Sequence, residues 1–398
     1  MITKNKEKLK NNLVTIGLIS LIIGEMIFYR IETKNIYLFF SLIGIFMISL
    51  ILKIKFNKKD GFILWFTLIN LMFNFYGLFF LRKGIYNFDI IIFHYFIILY
   101  IYIGFNNLLK KNELNNFFNV FIYSFICVIL FLLINEGNIL FSDKEIMFGD
   151  SIAGNRNTVA LFLGTELTMF LYGYFATRKK KFLFLMFLSN VFIMLTGSKK
   201  GIIIILISAI FYFIKIKKSK KNIILFIVFV LIFCYFMFFN EYFFNIIGNR
   251  IIGMISTLKG DHKVYSHSTE SRKFMIEEGW KFFLETPIFG GGYNNFYSKT
   301  ATLYDYSHCN YIELLCSFGI FGTILYYFQY LKMFFISIKK IIRRKISIEN
   351  ELILVLCIQT LLLDIFNVSF SGLAISYLPI VLISILSTKI KEKKINVQ

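Results

Sequence analysis

Residues 117–134 read FFNVFIYSFICVILFLLI, a stretch that contains no charged side chain. A helix of this length crosses a hydrocarbon core about 30 Å thick. The stretch is apolar on every side, whereas the strands of a membrane barrel alternate apolar and polar positions, so it predicts a transmembrane helix. Similar runs recur along the chain, and 57% of its 398 residues are hydrophobic. The sequence therefore predicts an all-α membrane protein.

The apolar runs predict about twelve spans in one integral membrane domain, 1–398. Dense clusters of Lys and Arg, such as 53–59 and 339–345, occupy alternate connections, and by the positive-inside rule they face the cytoplasm. Both termini are then cytoplasmic, and the longest connection, 240–308, lies outside. The last two spans could instead form a re-entrant hairpin. The predicted spans are 12–29, 36–54, 62–81, 89–106, 117–134, 157–177, 182–197, 201–216, 222–239, 309–331, 351–370 and 372–388.

The net charge of +21 does not indicate nucleic acid. The basic residues lie in short clusters between apolar runs, where they act as topology signals and contact anionic membrane lipid. The five cysteines follow no metal-ligand spacing and indicate no disulfide framework. Three acidic residues fall inside predicted spans, and we expect each to pair with a neighbour in the bundle. They are Glu25, Glu166 and Asp364.

The outer loop 240–308 contains a predicted amphipathic helix that Pro287 ends. Its apolar positions follow helical spacing: Ile276, Trp280, Phe283 and Leu284. Such a helix is typical of a membrane surface, with Trp280 near the headgroups, or of a cap on the bundle. Arg272 lies one turn before this stripe, on its own face. It is either an interfacial arginine whose head reaches the headgroups or a phosphate ligand.

Two further features follow this helix. Gly290, Gly291 and Gly292 permit either a close backbone approach to a ligand or a plain flexible turn. His308, one of four histidines, stands at the outer membrane boundary where the tenth span begins. Its imidazole is either a general base for an alcohol or an interfacial polar anchor.

Three segments together resemble the O-antigen ligase / Wzy polymerase family of bacterial envelope glycosyltransferases. LTGSKKG (195–201) is close to the family pattern L-T-G-S-R. The helix with Arg272, followed by PIFGGGYNNF (287–296), is similar to the stretch R…W…P-I-x-G-x-G. SHCNYIEL (307–314) with FGIFG (318–322) is similar to S-H-N-x-Y-x-E-L…G-I-x-G. The sequence departs from the family at Lys199, where arginine is usual, and at Cys309, where asparagine is common.

The resemblance implies a GT-C-like helical bundle in the bacterial cytoplasmic membrane. It implies an inverting glycosyltransferase, independent of any metal or cofactor, that uses a polyprenyl-diphosphate-linked oligosaccharide. His308 would be the general base and Arg272 the main contact to the diphosphate. Lys199, supplemented by Lys200 or Arg156, would add positive charge at the leaving group. Three residues at the start of the tenth span would orient the base or the acceptor: Asn310, Tyr311 and Glu313.

The resemblance leaves the activity open between two reactions. A polymerase joins lipid-linked repeat units of O-antigen or capsule, and a ligase moves the finished glycan to lipid A core or another acceptor. We favour the polymerase, with a chain-length regulator and a flippase as expected partners. A lipid-linked oligosaccharide flippase or other transporter is the alternative from a different class, but the chain has only two prolines to break helices.

Overall fold

The computed structural model is helical throughout the part of the chain that it describes, and that part contains no strand. The described residues are 2–25, 34–51, 61–75, 88–110, 114–138, 148–150, 155–215, 267–293, 295–300, 304, 306–343, 347–368, 378–387 and isolated positions between 224 and 256. The predicted span 222–239 and the first part of the outer loop lie outside them, apart from those isolated positions. The predicted turn near Ser371 and Gly372 lies outside them as well.

Thirteen helices are defined within these residues. They are α1 (Ile2–Ile23), α2 (Lys34–Ser49), α3 (Gly61–Phe75), α4 (Phe88–Lys110), α5 (Leu114–Glu136), α6 (Arg156–Thr177), α7 (Lys181–Leu195), α8 (Lys199–Lys215), α9 (His267–Glu285), α10 (Asn295–Lys299), α11 (Asn310–Ile342), α12 (Ile348–Leu363) and α13 (Leu378–Ser387).

Three of these helices, α5, α6 and α11, are long and apolar enough to cross a bilayer. Shorter apolar helices accompany them at 36–49, 63–72, 95–109, 181–195 and 378–387. The prediction of an all-helical membrane protein is therefore confirmed. The number of spans stays a prediction, because several apolar helices are shorter than a bilayer requires.

Three helices differ clearly from the predicted spans. α12 ends at Leu363, whereas the predicted span continues to residue 370. α1 begins at Ile2, so the basic residues between Lys4 and Lys10 are part of the helix, whose Lys, Leu and Glu residues have good helix propensity. α11 continues to Ile342 instead of ending near residue 331, and it is interrupted at Gly319, whose φ of 63° and ψ of −168° are not helical.

The chain forms two compact units. The first contains 1–25, 35–120 and 271–398. In it α1 packs on α4, α3 on α4 and α11, and α11 on α10 and α12. Glu25 accepts a hydrogen bond from the Tyr37 hydroxyl at 2.8 Å, as expected for a carboxyl group inside the bundle.

The second unit contains 26–34 and 121–270. Its centre is α6, which packs on α7 and α8. Gly164 and Gly173 allow these neighbours to approach, because a Cβ on either glycine would lie 2.4–2.6 Å from Ile204 or Phe182. Glu166 on α6 accepts a hydrogen bond from the Ser124 hydroxyl at 2.8 Å, again as expected.

Candidate active site

His308 lies immediately outside α11 in the first unit, in a left-handed backbone conformation with φ of 58°. Few residues other than glycine adopt this conformation, although histidine is among the more tolerant. The imidazole is half-buried, and its centroid lies 4.4 Å from that of the Tyr306 ring, with 57° between the planes. Left-handed residues often occur at functional sites, where the surrounding structure holds them in place.

Hydrogen bonds around the start of α11 hold the backbone of His308 in place. The Ser307 amide donates to the Glu313 carboxylate at 2.7 Å, and the Ser307 hydroxyl donates to the Cys309 carbonyl at 2.9 Å. The Glu313 amide donates to the same carbonyl, also at 2.9 Å. Glu313 thus reaches back from the first turn of the helix to the residue before His308, as a capping glutamate does.

Asn310 connects this helix start to the end of α12. Its backbone amide donates to the carbonyls of Asp364 and Asn367 at 2.8 and 2.9 Å. Its side-chain amide donates to the Tyr327 hydroxyl at 2.9 Å and to the Asp364 carboxylate at 3.1 Å, and Tyr327 donates to that carboxylate at 2.8 Å. The buried Asp364 therefore lies at the positive end of the α11 dipole, which favours a carboxylate.

Tyr311 also anchors the start of α11. Its hydroxyl donates to the Leu361 carbonyl at 2.9 Å, and its ring stacks on Tyr327 with centroids 4.8 Å apart. Asn310, Tyr311 and Glu313 were predicted to orient the base or the acceptor. Their contacts fix the helix that follows His308, with Asp364 and Tyr327 as partners. Of these two partners, only Asp364 was noticeable in the sequence, as a charged residue inside an apolar run.

Arg272 lies on α9 and is half-buried. Burial lowers the pKa of its guanidinium, and a charge interaction with Tyr306 opposes that shift. Tyr306 therefore packs its ring against His308 and influences the pKa of Arg272. No ion pair among the described residues includes Arg272.

The buried face of α9 differs from the predicted stripe. Met275, Gly279 and Phe283 are buried, whereas three of the four predicted apolar positions are exposed: Ile276 (36%), Trp280 (47%) and Leu284 (59%). The reason is Gly279, where a Cβ would lie 2.4 Å from Cγ2 of Ile312 on α11. α11 approaches α9 where side-chain bulk is smallest. A helix face predicted from the spacing of apolar residues does not reveal a close contact at a glycine. Arg272 lies seven residues before Gly279, two turns along the same face.

A hydrophobic cluster ties α9, α10 and α11 together. Met275, Phe296 and Cys316 form its buried part, and Phe282 and Tyr304 pack against it. Asn295 strengthens the connection, because its side-chain amide donates to the Cys316 carbonyl at 3.1 Å. The helices that carry Arg272 and His308 are therefore packed in one body within the first unit.

The glycine-rich turn 290–292 contacts the interruption in α11. Where the helix breaks, the carbonyls of Cys316 and Ser317 lose their usual donors at Ile320 and Phe321. The amides of Gly291 and Gly292 replace them at 3.0 and 2.7 Å. In return, the Ile320 amide donates to the Pro287 carbonyl at 2.9 Å, and the Phe321 amide donates to the Ile288 carbonyl at 3.2 Å. Two helical hydrogen bonds are thus exchanged for four between turn and helix.

This exchange requires glycine on both sides. Gly290 has a φ of 71°, and a Cβ there would lie 2.4 Å from the backbone at Ser317 and Phe318. A Cβ on Gly319 would lie 2.3 Å from the Ile288 carbonyl oxygen. Of the two interpretations offered for the glycines, neither describes this contact, because the close approach is to a helix backbone. The second and third sequence motifs therefore form one structural feature.

The second unit has a cluster of polar and charged residues at the start of α6. Asn155 caps this helix by accepting from the Asn157 amide at 2.9 Å. Arg156 pairs with Asp150, with Nη1 and Oδ2 3.3 Å apart. The Ser198 hydroxyl donates to the Asn157 side chain at 2.8 Å, which connects the start of α6 to the LTGSKKG segment.

Lys199 and Lys200 open α8 directly after Ser198. Lys199 is half-buried, and Lys200 is 7% exposed. The structure thus brings together Arg156 and the two lysines through the Asn157–Ser198 contact, as predicted cations of one unit. Arg272 and His308 lie in the other unit, on or next to helices that pack against each other. Among the described residues, no group of three or more His, Cys, Asp or Glu side chains has a metal-binding arrangement.

The fold defines the class as an all-helical membrane protein, whose first unit has a histidine before one helix and a half-buried arginine on a helix packed against it. Residues 182–327 match the Wzy_C family model, described as O-antigen ligase. The resemblance inferred from the motifs is thereby confirmed. No curated protein matches the chain. The matched segment contains Lys199, Lys200, Arg272 and His308, whereas Arg156 precedes it. The match supports a membrane enzyme of glycosyl transfer, of ligase or polymerase type, with a lipid-linked oligosaccharide as substrate.

Proposed function

We propose that the protein is a polymerase that joins polyprenyl-diphosphate-linked repeat units into O-antigen or capsule. The observation that carries the proposal is Arg272, a half-buried guanidinium outside every ion pair of the described residues, which shares Tyr306 as a neighbour with His308. Burying a charge without a partner is costly, and an incoming diphosphate would supply the missing anion. The segment that matches O-antigen ligase contains both side chains.

In the proposed reaction, His308 takes the proton from the acceptor sugar hydroxyl. The hydroxyl oxygen attacks the anomeric carbon of the donor, and the bond from that carbon to the diphosphate oxygen breaks. The polyprenyl diphosphate leaves with the electron pair, and Arg272 stabilises its developing charge. In-line attack by one hydroxyl inverts the anomeric centre, and no step requires a metal.

The family motif names further candidate cations. Lys199 and Lys200 remain predicted contacts to the diphosphate, on the basis of the motif that they share with the family. Arg156 is the weakest of the three candidates, because Asp150 already neutralises it. Asn310, Tyr311 and Glu313 act by fixing the helix start that presents His308.

The proposed topology keeps the chain as one membrane domain of about twelve spans, with both termini cytoplasmic and 240–308 outside the cytoplasmic membrane. α9 then lies at the outer surface, with its exposed apolar residues in the lipid interface. A flippase delivers the lipid-linked unit to this side, and a chain-length regulator acts with the polymerase.

The test is synthesis in proteoliposomes. Purified protein is supplied with the lipid-linked repeat unit that accumulates in a strain lacking this chain, and products are separated by size. A ladder of repeat units supports the polymerase, and EDTA should leave it unchanged. Arg272→Lys should lower the rate about tenfold to a hundredfold, since a point charge replaces the planar fork.

Two outcomes would contradict the polymerase and favour the alternatives. Transfer of a finished glycan to added lipid A core, without a ladder, would identify a ligase. Movement of a fluorescent lipid-linked oligosaccharide across the bilayer, without any new glycosidic bond, would identify a flippase.

A further inference from the structure

Two tyrosines precede His308, and they have different surroundings. Tyr304 packs against the Met275–Phe296–Cys316 cluster, and its ring centroid lies 6.0 Å from that of Phe274. Its carbonyl accepts a hydrogen bond from the Thr300 hydroxyl at 3.2 Å. Tyr306 lies instead against the His308 imidazole, with centroids 4.4 Å apart. Tyr304 therefore fills the core, whereas Tyr306 contacts the proposed base.

We propose that Tyr306 is the positioning residue of the glycan transfer: its ring orients the His308 imidazole and stabilises the cation that forms there. This inference rests on the proposed function. No sequence motif singled out Tyr306, since it precedes the SHCNYIEL segment.

The contacts of the site act on His308 at two levels. The Ser307–Glu313 hydrogen bond at 2.7 Å fixes the backbone before His308, and the Asn310–Asp364 contacts fix the helix after it. The Tyr306 ring acts on the side chain, because its centroid lies 4.4 Å from that of the imidazole. A ring packed this closely limits rotation about the His308 side-chain bonds, so the ring nitrogen stays directed at the acceptor.

The chemistry of the step gives the ring a second role. When His308 takes the hydroxyl proton, the imidazole becomes a cation, and the sugar oxygen becomes the nucleophile that displaces polyprenyl diphosphate. An aromatic ring within about 6 Å of a cation attracts it through the negative face of the ring. The Tyr306 ring meets that distance from the imidazole centroid. The stabilisation appears as the proton moves, so it acts on the rate and not on substrate binding.

The Tyr306 ring, and not its hydroxyl, is therefore the group that matters for His308. Phenylalanine at 306 retains the ring, whereas methionine fills a similar space without one. Tyr304→Leu is the matched control, because it removes a neighbouring tyrosine from the core without touching the imidazole.

The experiment compares Tyr306→Met, Tyr306→Leu, Tyr306→Phe and Tyr304→Leu in the proteoliposome assay, with rates divided by the folded fraction from size-exclusion chromatography. We expect Met and Leu at 306 to lower kcat about threefold to thirtyfold, with KM for the lipid-linked donor within about twofold of wild type. Phe at 306 should retain at least about half of kcat. Tyr304→Leu should lower the melting temperature and leave kcat of the folded fraction near wild type.

Two results would overturn the role of Tyr306. One is a wild-type kcat in both ringless variants. The other is a Phe variant as slow as Leu, which would assign the effect to the hydroxyl. Failure of the proposed function is distinguishable, because the wild-type protein would then form no ladder of repeat units, whereas failure of the Tyr306 role leaves the wild-type ladder intact.

Discussion

Two clusters of this protein each place an arginine near the start of a helix, but the two arginines differ in their partners. Arg156, the first residue of α6, pairs with Asp150 at 3.3 Å. Arg272 is half-buried on α9 and takes part in no ion pair among the described residues. A paired guanidinium is already neutralised, whereas Arg272 bears a burial cost that an anionic ligand would offset.

The comparison shows that partners, and not residue type, distinguish a structural cation from a ligand-binding one. The sequence predicts that both arginines lie on the outer side, and either could contact a diphosphate. The structure adds a carboxylate beside Arg156 and no ion-pair partner for Arg272 among the described residues.

The largest effect is expected at His308. Asparagine tolerates the left-handed conformation found there, so His308→Asn removes the base without straining the backbone as alanine would. Glycan transfer should fall about 10²-fold to 10⁴-fold, as for loss of a general base, and His308→Ala should be equally inactive. The measurement is polymer yield per folded protein in proteoliposomes.

The matched control in the other cluster is Ser198→Ala, which removes the hydrogen bond to Asn157. It should stay within about threefold of wild type, because one neutral hydrogen bond contributes only about 0.5–1.5 kcal/mol. A Ser198→Ala variant as inactive as His308→Asn would mean that the two clusters share the chemistry equally.

The next effect concerns the contact between the glycine turn and α11. Gly290→Ala and Gly319→Ala each place a methyl group against backbone at a positive φ, so the first unit should lose roughly 2–5 kcal/mol of stability. Thermal unfolding in detergent measures this loss. The control is Gly61→Ala, since no atom lies within 4 Å of a Cβ at that position. Equal melting temperatures for Gly290→Ala and Gly61→Ala would show that the turn does not hold the helix interruption.

A smaller effect is expected at Lys199. Lys199→Ala should slow transfer about threefold to tenfold if the lysine is a secondary cation, in keeping with an electrostatic contribution of about 1 kcal/mol. Lys199→Arg, which introduces the usual residue of the family, should match wild type or exceed it. A loss with arginine as large as with alanine would show that the position requires the shape of lysine and not its charge.

The smallest change concerns the exposed face of α9. The chain has two tryptophans, Trp65 and Trp280, so Trp65→Phe leaves a single reporter on this helix. Trp280 is 47% exposed, and exposed apolar residues continue at Ile288 and Phe289, whose ring contacts Phe321 on α11. Lipids with quenchers near the headgroup should quench its fluorescence more than lipids with quenchers at the acyl end. Quenching by aqueous iodide alone would place the helix away from the membrane.

Much of the fold could be predicted from hydrophobic runs. The boundaries of α6, α7 and α8 agree with the predicted spans within about two residues, because long apolar helices leave a strong signal. The interruption of α11 could not be predicted from the sequence, because the break at Gly319 depends on hydrogen bonds exchanged with residues 287–292. Such an exchange joins segments distant in sequence and leaves no periodic trace.

The candidate site was predicted in part. His308 and Arg272 were proposed from their motifs, since both residue types stand beside recognisable patterns, and their roles stay predictions. The face of α9 that packs on α11 was not predicted, because it is formed around Gly279 and not around the apolar stripe. The Asp150 partner of Arg156 and the ring of Tyr306 were not predicted either, because sequence spacing does not report which side chains meet.

Binding of the released product, polyprenyl diphosphate, tests the central distinction most directly, because it needs no knowledge of the sugars. The measurement is Kd for wild type, Arg272→Gln and Arg156→Gln in one detergent. Loss of a charge-assisted contact should weaken binding by Arg272→Gln about tenfold to a hundredfold, while Arg156→Gln stays within about threefold of wild type. Equal losses in the two variants, or unchanged binding by Arg272→Gln, would contradict the account.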